Sequence, residues 1–160
     1  MNAAELGNLL QRWGFKLATA ESCTGGLLAS KLTDVPGSSN YFVGGVIAYS
    51  NQVKIKILNV KKETIEKYGA VSKECAEEMV KGVTEIFGVD VGISTTGIAG
   101  PSGGTEEKPV GLVYMGFKIR DDVWVERFIF KGSRIEIKTQ IAEKAIEILQ
   151  MKLNPRNDLI

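Results

Sequence analysis

The sequence contains no histidine and only two cysteines, Cys23 and Cys75. Without histidine, a Ser-His-Asp triad, a Cys-His dyad and a His-ligated zinc site are all excluded. Two cysteines build neither a disulfide framework nor a tetrahedral thiolate site by themselves. Any hydrolytic chemistry must therefore take its base from Lys, Asp, Glu or Tyr. An excess of one charge is also lacking: 20 Lys+Arg stand against 19 Asp+Glu. That balance leaves no bulk footprint for nucleic acid or an anionic membrane, although a local phosphate-binding patch stays compatible with it. No run approaches ~20 uninterrupted apolar residues, so no membrane span is expected. Residues 1–13 lack a basic segment followed by an apolar run, and Glu5 interrupts them, so they do not read as a signal peptide. The expectation by default is the cytoplasm.

What remains is the composition of a globular protein. With 160 residues, 44% hydrophobic and 24% charged, the chain reads as one domain over 1–160 with a real core and a loose tail at 154–160. Leu6, Leu9, Leu10 and Trp13 recur at helical spacing, and Gly14 is placed to stop that helix. Strands are expected at 15–20, 43–49 and 89–95, followed by a hairpin of 110–119 and 123–130 across Arg120-Asp121-Asp122. Helices are expected at 27–32, from Ser50 or Asn51 through 54–58, and at 62–68. Ser72 is a good N-cap for a longer helix with Cys75, Ala76, Met79, Val80, Val83 and Phe87 on one face. Ile137, Ile141, Ala145 and Ile148 place a last helix on the sheet. Helices alternate with strands early and two strands adjoin late, which predicts an α/β fold: a three-layer α/β/α sandwich with a mixed β-sheet.

Three segments carry candidate chemistry, and each sits where a strand ends, the usual ligand position in α/β sheets. In Ala20-Glu21-Ser22-Cys23-Thr24-Gly25-Gly26, a hydroxyl leaves a buried strand and enters a helix N-terminus, where free N–H groups suit an oxyanion or a phosphate. The plainer alternative is that Ser22 or Thr24 only caps the helix. Cys23, without a histidine to activate it, reads as a small core residue. In Tyr49-Ser50-Asn51-Gln52-Val53-Lys54, a strand delivers Tyr49 and the next helix carries Lys54 near its positive end. Dipole and burial together favour the neutral amine, which can take a serine proton; a solvated lysine is the alternative. The third segment, 95–109, holds Thr95, Thr96, Gly97, Gly100, Gly103, Gly104, Thr105 and Lys108 in a loop able to cradle an anion. It lacks the Gly-Lys-Ser/Thr ending of a P-loop. Arg134 and Lys138, four apart, fit either a phosphate grip or a solvated basic pair. Glu21 or Glu107 fits the role of orienting Lys54, or faces solvent. The residues thus point to a hydrolase or transferase acting on a small phosphorylated molecule and do not choose the bond.

Five stretches carry a family resemblance: Thr19-Ala20-Glu21-Ser22-Cys23-Thr24-Gly25-Gly26, Pro36-Gly37-Ser38-Ser39, Tyr49-Ser50-Asn51 with Lys54, Tyr68-Gly69-Ala70-Val71-Ser72, and Thr96-Gly97-Ile98-Ala99-Gly100-Pro101 through Glu107-Lys108-Pro109-Val110-Gly111. In these the chain resembles the C-terminal domain of the CinA family, in its stand-alone nicotinamide-nucleotide amidohydrolase form. The resemblance implies hydrolysis of nicotinamide mononucleotide to nicotinate mononucleotide and ammonia, a pyridine nucleotide salvage step, without metal or cofactor. It also implies a homodimer, and no pyrophosphatase activity of the kind that larger members carry in a separate domain. It assigns Ser22 as nucleophile, Lys54 as base, and Tyr49 and Thr96 as catalytic neighbours. Glu21, Cys23, Thr24, Gly25, Gly26, Gly97, Gly100, Gly103, Gly104, Thr105, Lys108 and Arg134 form the expected substrate-binding set. The family usually has Gly-Asp-Arg with a second arginine four residues on; here it is Gly132-Ser133-Arg134 with Lys138, so the charge survives and the bidentate geometry does not. A nucleotide-binding regulatory module, or an amidohydrolase with another small amide, are the alternatives.

Overall fold

The computed structural model describes residues 2–155. In chain order the elements are α1 (Ala3–Trp13), β1 (Leu17–Glu21), α2 (Leu27–Thr33), a 3-10 turn (Ser38–Asn40), β2 (Phe42–Ile47), α3 (Asn51–Lys56), α4 (Lys62–Tyr68), α5 (Lys73–Phe87), β3 (Val91–Gly97), β4 (Leu112–Ile119), β5 (Asp122–Ile129) and α6 (Arg134–Leu153). The strands form one mixed sheet in the order β2-β1-β3-β4-β5. β1 runs parallel to β2 and β3, because helices intervene between them in sequence, while β3-β4-β5 is antiparallel.

Two cores sandwich the sheet. On one face Leu6 and Leu10 of α1, Leu28 of α2 and Ile141 and Leu149 of α6 pack on Leu17, Ile93 and Phe117. On the other, Cys75, Met79 and Val83 of α5 pack on Ala18 and Ala20, with Leu58 and Val60 alongside. Each fully buried aliphatic side chain contributes about 1.5–3 kcal/mol, so trimming Leu28 to alanine costs about 2–5 kcal/mol. Leu17 and Ala18 face opposite cores, as strand alternation requires. The same alternation sends Glu21 and Ser22 to opposite faces. α5 lies close on the sheet at Gly116, where a Cβ would stand 2.5 Å from Ala76 O and 2.4 Å from Ser94 Oγ.

The caps follow the sequence. Ser72 accepts from Cys75 N–H at the start of α5, and Gly14 ends α1 at φ 71°. Ser133 opens α6 with a capping box, accepting from Glu136 N–H while its own N–H donates to the Glu136 carboxyl. Several bounds differ from expectation: β2 is Phe42–Ile47 against 43–49, β3 is Val91–Gly97 against 89–95, and β4 starts at Leu112 rather than 110. β1 begins at Leu17 rather than 15, since Phe15 N–H donates back to Leu10 O as part of the α1 exit. The hairpin turn is Arg120-Asp121, with Asp122 already paired to Ile119. On α6 the buried stripe passes through Ile146, Leu149 and Leu153 while Ile148 is only partly buried, because a 3.6-residue period drifts around a 20-residue helix. α6 ends at Leu153, and most of the expected tail, 156–160, lies outside the described residues. No helix among the described residues is long and apolar enough to cross a membrane.

Candidate active site

Ser22 is the first residue beyond β1. Its N–H donates to Thr95 O at 3.0 Å, so sheet pairing fixes its backbone. Lys54 comes from α3, a short helix that Ser50 caps by accepting from Val53 N–H at 3.2 Å. The two side chains meet: Lys54 Nζ donates to Ser22 Oγ at 2.9 Å and to Tyr49 O at 3.1 Å. Lys54 is 2% exposed and Ser22 is 8% exposed. None of the ion pairs among the described residues includes Lys54. Burial therefore pulls the Lys54 amine below its usual 10.5. Thiolates at Cys75 or Cys23 would oppose this, but burial pushes Cys75 up to about 11 and Cys23 up to about 12, and both remain neutral thiols near neutral pH. The dominant cause at Lys54 is thus desolvation.

The turn after Ser22 is held from behind by Glu21. That side chain is 1% exposed and accepts from Thr24 Oγ1 (2.7 Å), Leu28 N–H (2.9 Å), Ala29 N–H (2.9 Å), Gly26 N–H (3.2 Å) and Thr19 Oγ1 (3.3 Å). It neither orients Lys54 nor reaches the pocket; both expectations for it are corrected by the donors it serves. The N-terminus of α2 is consequently already occupied by an acceptor from its own chain, and an external phosphate finds those N–H groups taken. Thr24 is fully buried and its hydroxyl also meets Thr95 Oγ1 at 2.8 Å, so it is a packing residue and not an exposed nucleophile. Gly25 and Gly26, at φ 60° and 103°, make the tight return. Gly25 N–H donates to Ser22 O. Of the oxyanion donors expected across 23–26, those of Gly25 and Gly26 are thus taken, and Thr24, Gly25 and Gly26 lie outside the lining of the cavity that opens over Ser22.

A cavity of about 280 Å³ opens over this pair. Ser22, Cys23, Tyr49, Lys54, Thr96, Gly97, Gly100, Gly103 and Arg134 line it, which brings together residues from all three glycine- and hydroxyl-bearing segments. Thr96 is tied down, donating to Ala70 O at 2.8 Å. Arg134 donates to Gly100 O at 2.6 Å and to the Tyr49 phenol at 3.0 Å. Gly104, Thr105 and Lys108 do not line the cavity. They build the outer end of the loop: Thr105 N–H donates to Lys108 O, Lys108 N–H to Thr105 Oγ1, and Lys108 Nζ to Tyr68 O at 2.6 Å. Glu107, the other carboxylate considered for orienting Lys54, is likewise absent from the lining and sits in that outer turn. The loop closes at its base through Gly111 N–H to Ile98 O. Lys138 is not at the cavity with Arg134; it lies towards Gly25, on the next turn of α6. The lining also includes Asn51, Ala70, Val71, Ile98, Ala99 and Ser102, which sequence reasoning did not single out as site residues. Asn51 was signalled by its place in the polar turn before Lys54, and Ala70-Val71 only by the family pattern. Among the described residues no cluster of three or more His, Cys, Asp or Glu is placed to hold a metal ion.

The profile of the CinA C-terminal domain matches residues 1–153. A CinA-like protein from Kosmotoga olearia is 50% identical over 148 residues, 92% of this chain and 36% of that protein. The chain thus spans little more than a third of the length of the curated relatives it matches. The crystal structure of a CinA superfamily protein from Klebsiella pneumoniae superposes with a TM-score of 0.92 at 33% identity, covering 94% of each chain. That of a competence/damage inducible protein from Agrobacterium tumefaciens gives 0.86 at 36% identity, covering 96% of this chain and 98% of that one. With a shared profile over nearly its whole length and a shared fold, the chain belongs to the CinA C-terminal domain family.

Proposed function

We propose that this chain is a serine–lysine amidohydrolase that removes ammonia from the carboxamide of nicotinamide mononucleotide. The observation that carries the reading is the buried 2.9 Å contact between Lys54 Nζ and Ser22 Oγ in a cavity without a competing carboxylate. The substrate rests on the family resemblance, supported by a cavity of about 280 Å³ with Arg134 at its wall.

The neutral Lys54 amine keeps one N–H on Tyr49 O and turns its lone pair to the Ser22 hydroxyl. It takes that proton as Oγ attacks the carboxamide carbon. The oxyanion that forms is assigned to the backbone N–H of Cys23, which lines the cavity beside Ser22. The Lys54 ammonium then returns its proton to the departing nitrogen, which leaves as ammonia, and a Ser22 ester remains. Water, deprotonated by the same amine, attacks the ester; Ser22 leaves with the proton, and nicotinate mononucleotide is released.

The test is ammonia release from nicotinamide mononucleotide by the wild type and Ser22→Ala, with the product identified by chromatography. Turnover that vanishes in the variant supports both reaction and nucleophile. A wild type that binds the nucleotide without turnover sinks the reading and leaves a binding module.

A further inference from the structure

We infer that Glu21 is a positioning residue for the nucleophile: its buried carboxylate clamps the 22–26 turn and thereby aims Ser22 at Lys54. The inference rests on the serine–lysine reading of the site and not on the identity of the amide.

Three observations carry it. Glu21 immediately precedes Ser22 and faces the other side of the sheet, so it is close to the nucleophile and cannot touch substrate. Its two oxygens divide the donors between them. Oε1 accepts from Thr24, Gly26 and Leu28, and Oε2 from Thr19 and Ala29. These donors span both ends of the turn and the first turn of α2, so one side chain ties strand, turn and helix together. Second, α2 is only seven residues long and has no side-chain cap at Gly26. A short helix without a cap frays, and Glu21 supplies what the cap does not. Third, Ser22 O accepts from Gly25 N–H, while Gly26 N–H goes to Glu21. This partition ties the later N–H groups of the turn to acceptors of the chain itself. Removing the acceptor frees Gly26, Leu28 and Ala29 to pull the turn elsewhere.

A glutamine at 21 keeps the size and one acceptor oxygen, but sets an amide N–H₂ against backbone N–H donors that have no acceptor to offer it. A misplacement of the nucleophile of about 1 Å costs on the order of a hundredfold in rate. The test uses a fluorophosphonate that phosphonylates activated serines, forming an Oγ–P bond as fluoride leaves, with mass spectrometry of the intact protein, alongside ammonia release. In Glu21→Gln, the labelling rate of Ser22 is expected to fall about tenfold or more, with full final stoichiometry, because the protein is folded and only mis-aimed. The pH midpoint of labelling should stay where it is in the wild type, because Lys54 is untouched. kcat should fall in parallel, with KM within about threefold. Thr24→Val, which removes one donor to the clamp and leaves the carboxylate in place, should give a smaller slowing in the same direction. Wild-type labelling and kcat in Glu21→Gln overturn the inference. So does labelling that is slow only because a fraction of the protein never reacts, since that is loss of fold. If wild-type protein labels at Ser22 but releases no ammonia from the nucleotide, the proposed substrate fails while the labelling rates still judge Glu21.

Discussion

Arg134 and Tyr49, 85 residues apart, meet at the wall of the cavity: the guanidinium donates to the phenol at 3.0 Å while its other arm donates to Gly100 O. One planar cation thus joins the segment before α3 to the glycine loop after β3. A lysine cannot serve two acceptors in that fork geometry. Arg134→Lys is expected to raise KM for nicotinamide mononucleotide about tenfold or more, the cost of a charge-assisted hydrogen bond, with a smaller change in kcat. Steady-state kinetics decide it; an unchanged KM removes Arg134 from binding.

Lys54→Arg places a permanent cation where the mechanism needs a lone pair. Turnover is expected to fall about 10²–10⁴-fold, the usual worth of a positioned general base. Ammonia release within tenfold of the wild type would take Lys54 out of the proton transfer.

The pH profile follows from the same amine. Only its neutral form accepts the Ser22 proton, and burial holds its pKa below the usual 10.5. kcat/KM should therefore rise with pH to a plateau whose midpoint lies below 10.5, and be lost as pH falls through that midpoint. A profile flat across the alkaline range contradicts it.

Stability should move in the opposite sense when Lys54 is replaced. Between the lowered folded pKa and the unfolded value of 10.5, the unfolded chain binds more protons, so stability rises with pH across that window. The penalty is complete below the folded pKa and gone above the unfolded one. Lys54→Met should raise the melting temperature near pH 7, and the advantage should shrink as pH approaches 10.5. Thermal melts of both proteins over that range measure it.

Cys23 lines the cavity beside the nucleophile, yet burial pushes its thiol up to about 12. A thiol so rarely ionised is inert. Iodoacetamide near pH 8 should leave it unmodified by intact mass, and Cys23→Ala should keep turnover within about threefold, as expected of a small packing residue.

Much of this was legible in the sequence. Ser22 and Tyr49 follow strand ends and Lys54 lies in the helix that comes next, and that pattern brings them to one end of the strands. The layered architecture followed from alternating helical and strand periods. Glu21 was misread because a carboxylate next to a nucleophile suggests substrate or base contact. Strand alternation already separates neighbours at 21 and 22, and that signal was available. Lys108 was misread for a different reason. Its partner is the carbonyl of Tyr68, 40 residues away, and nothing local marks a lysine that bonds to backbone. The α6 stripe drifted because a short count of spacings does not accumulate the helix's departure from an integral repeat.

The glycine loop is closed at its base by Ile98 and Gly111, and its far turn is tied off between Thr105 and Lys108. Glu106 and Glu107 lie beyond that second knot, exposed and outside the cavity lining. Those two positions are the place in this chain to graft a reporter or an affinity handle without touching the serine.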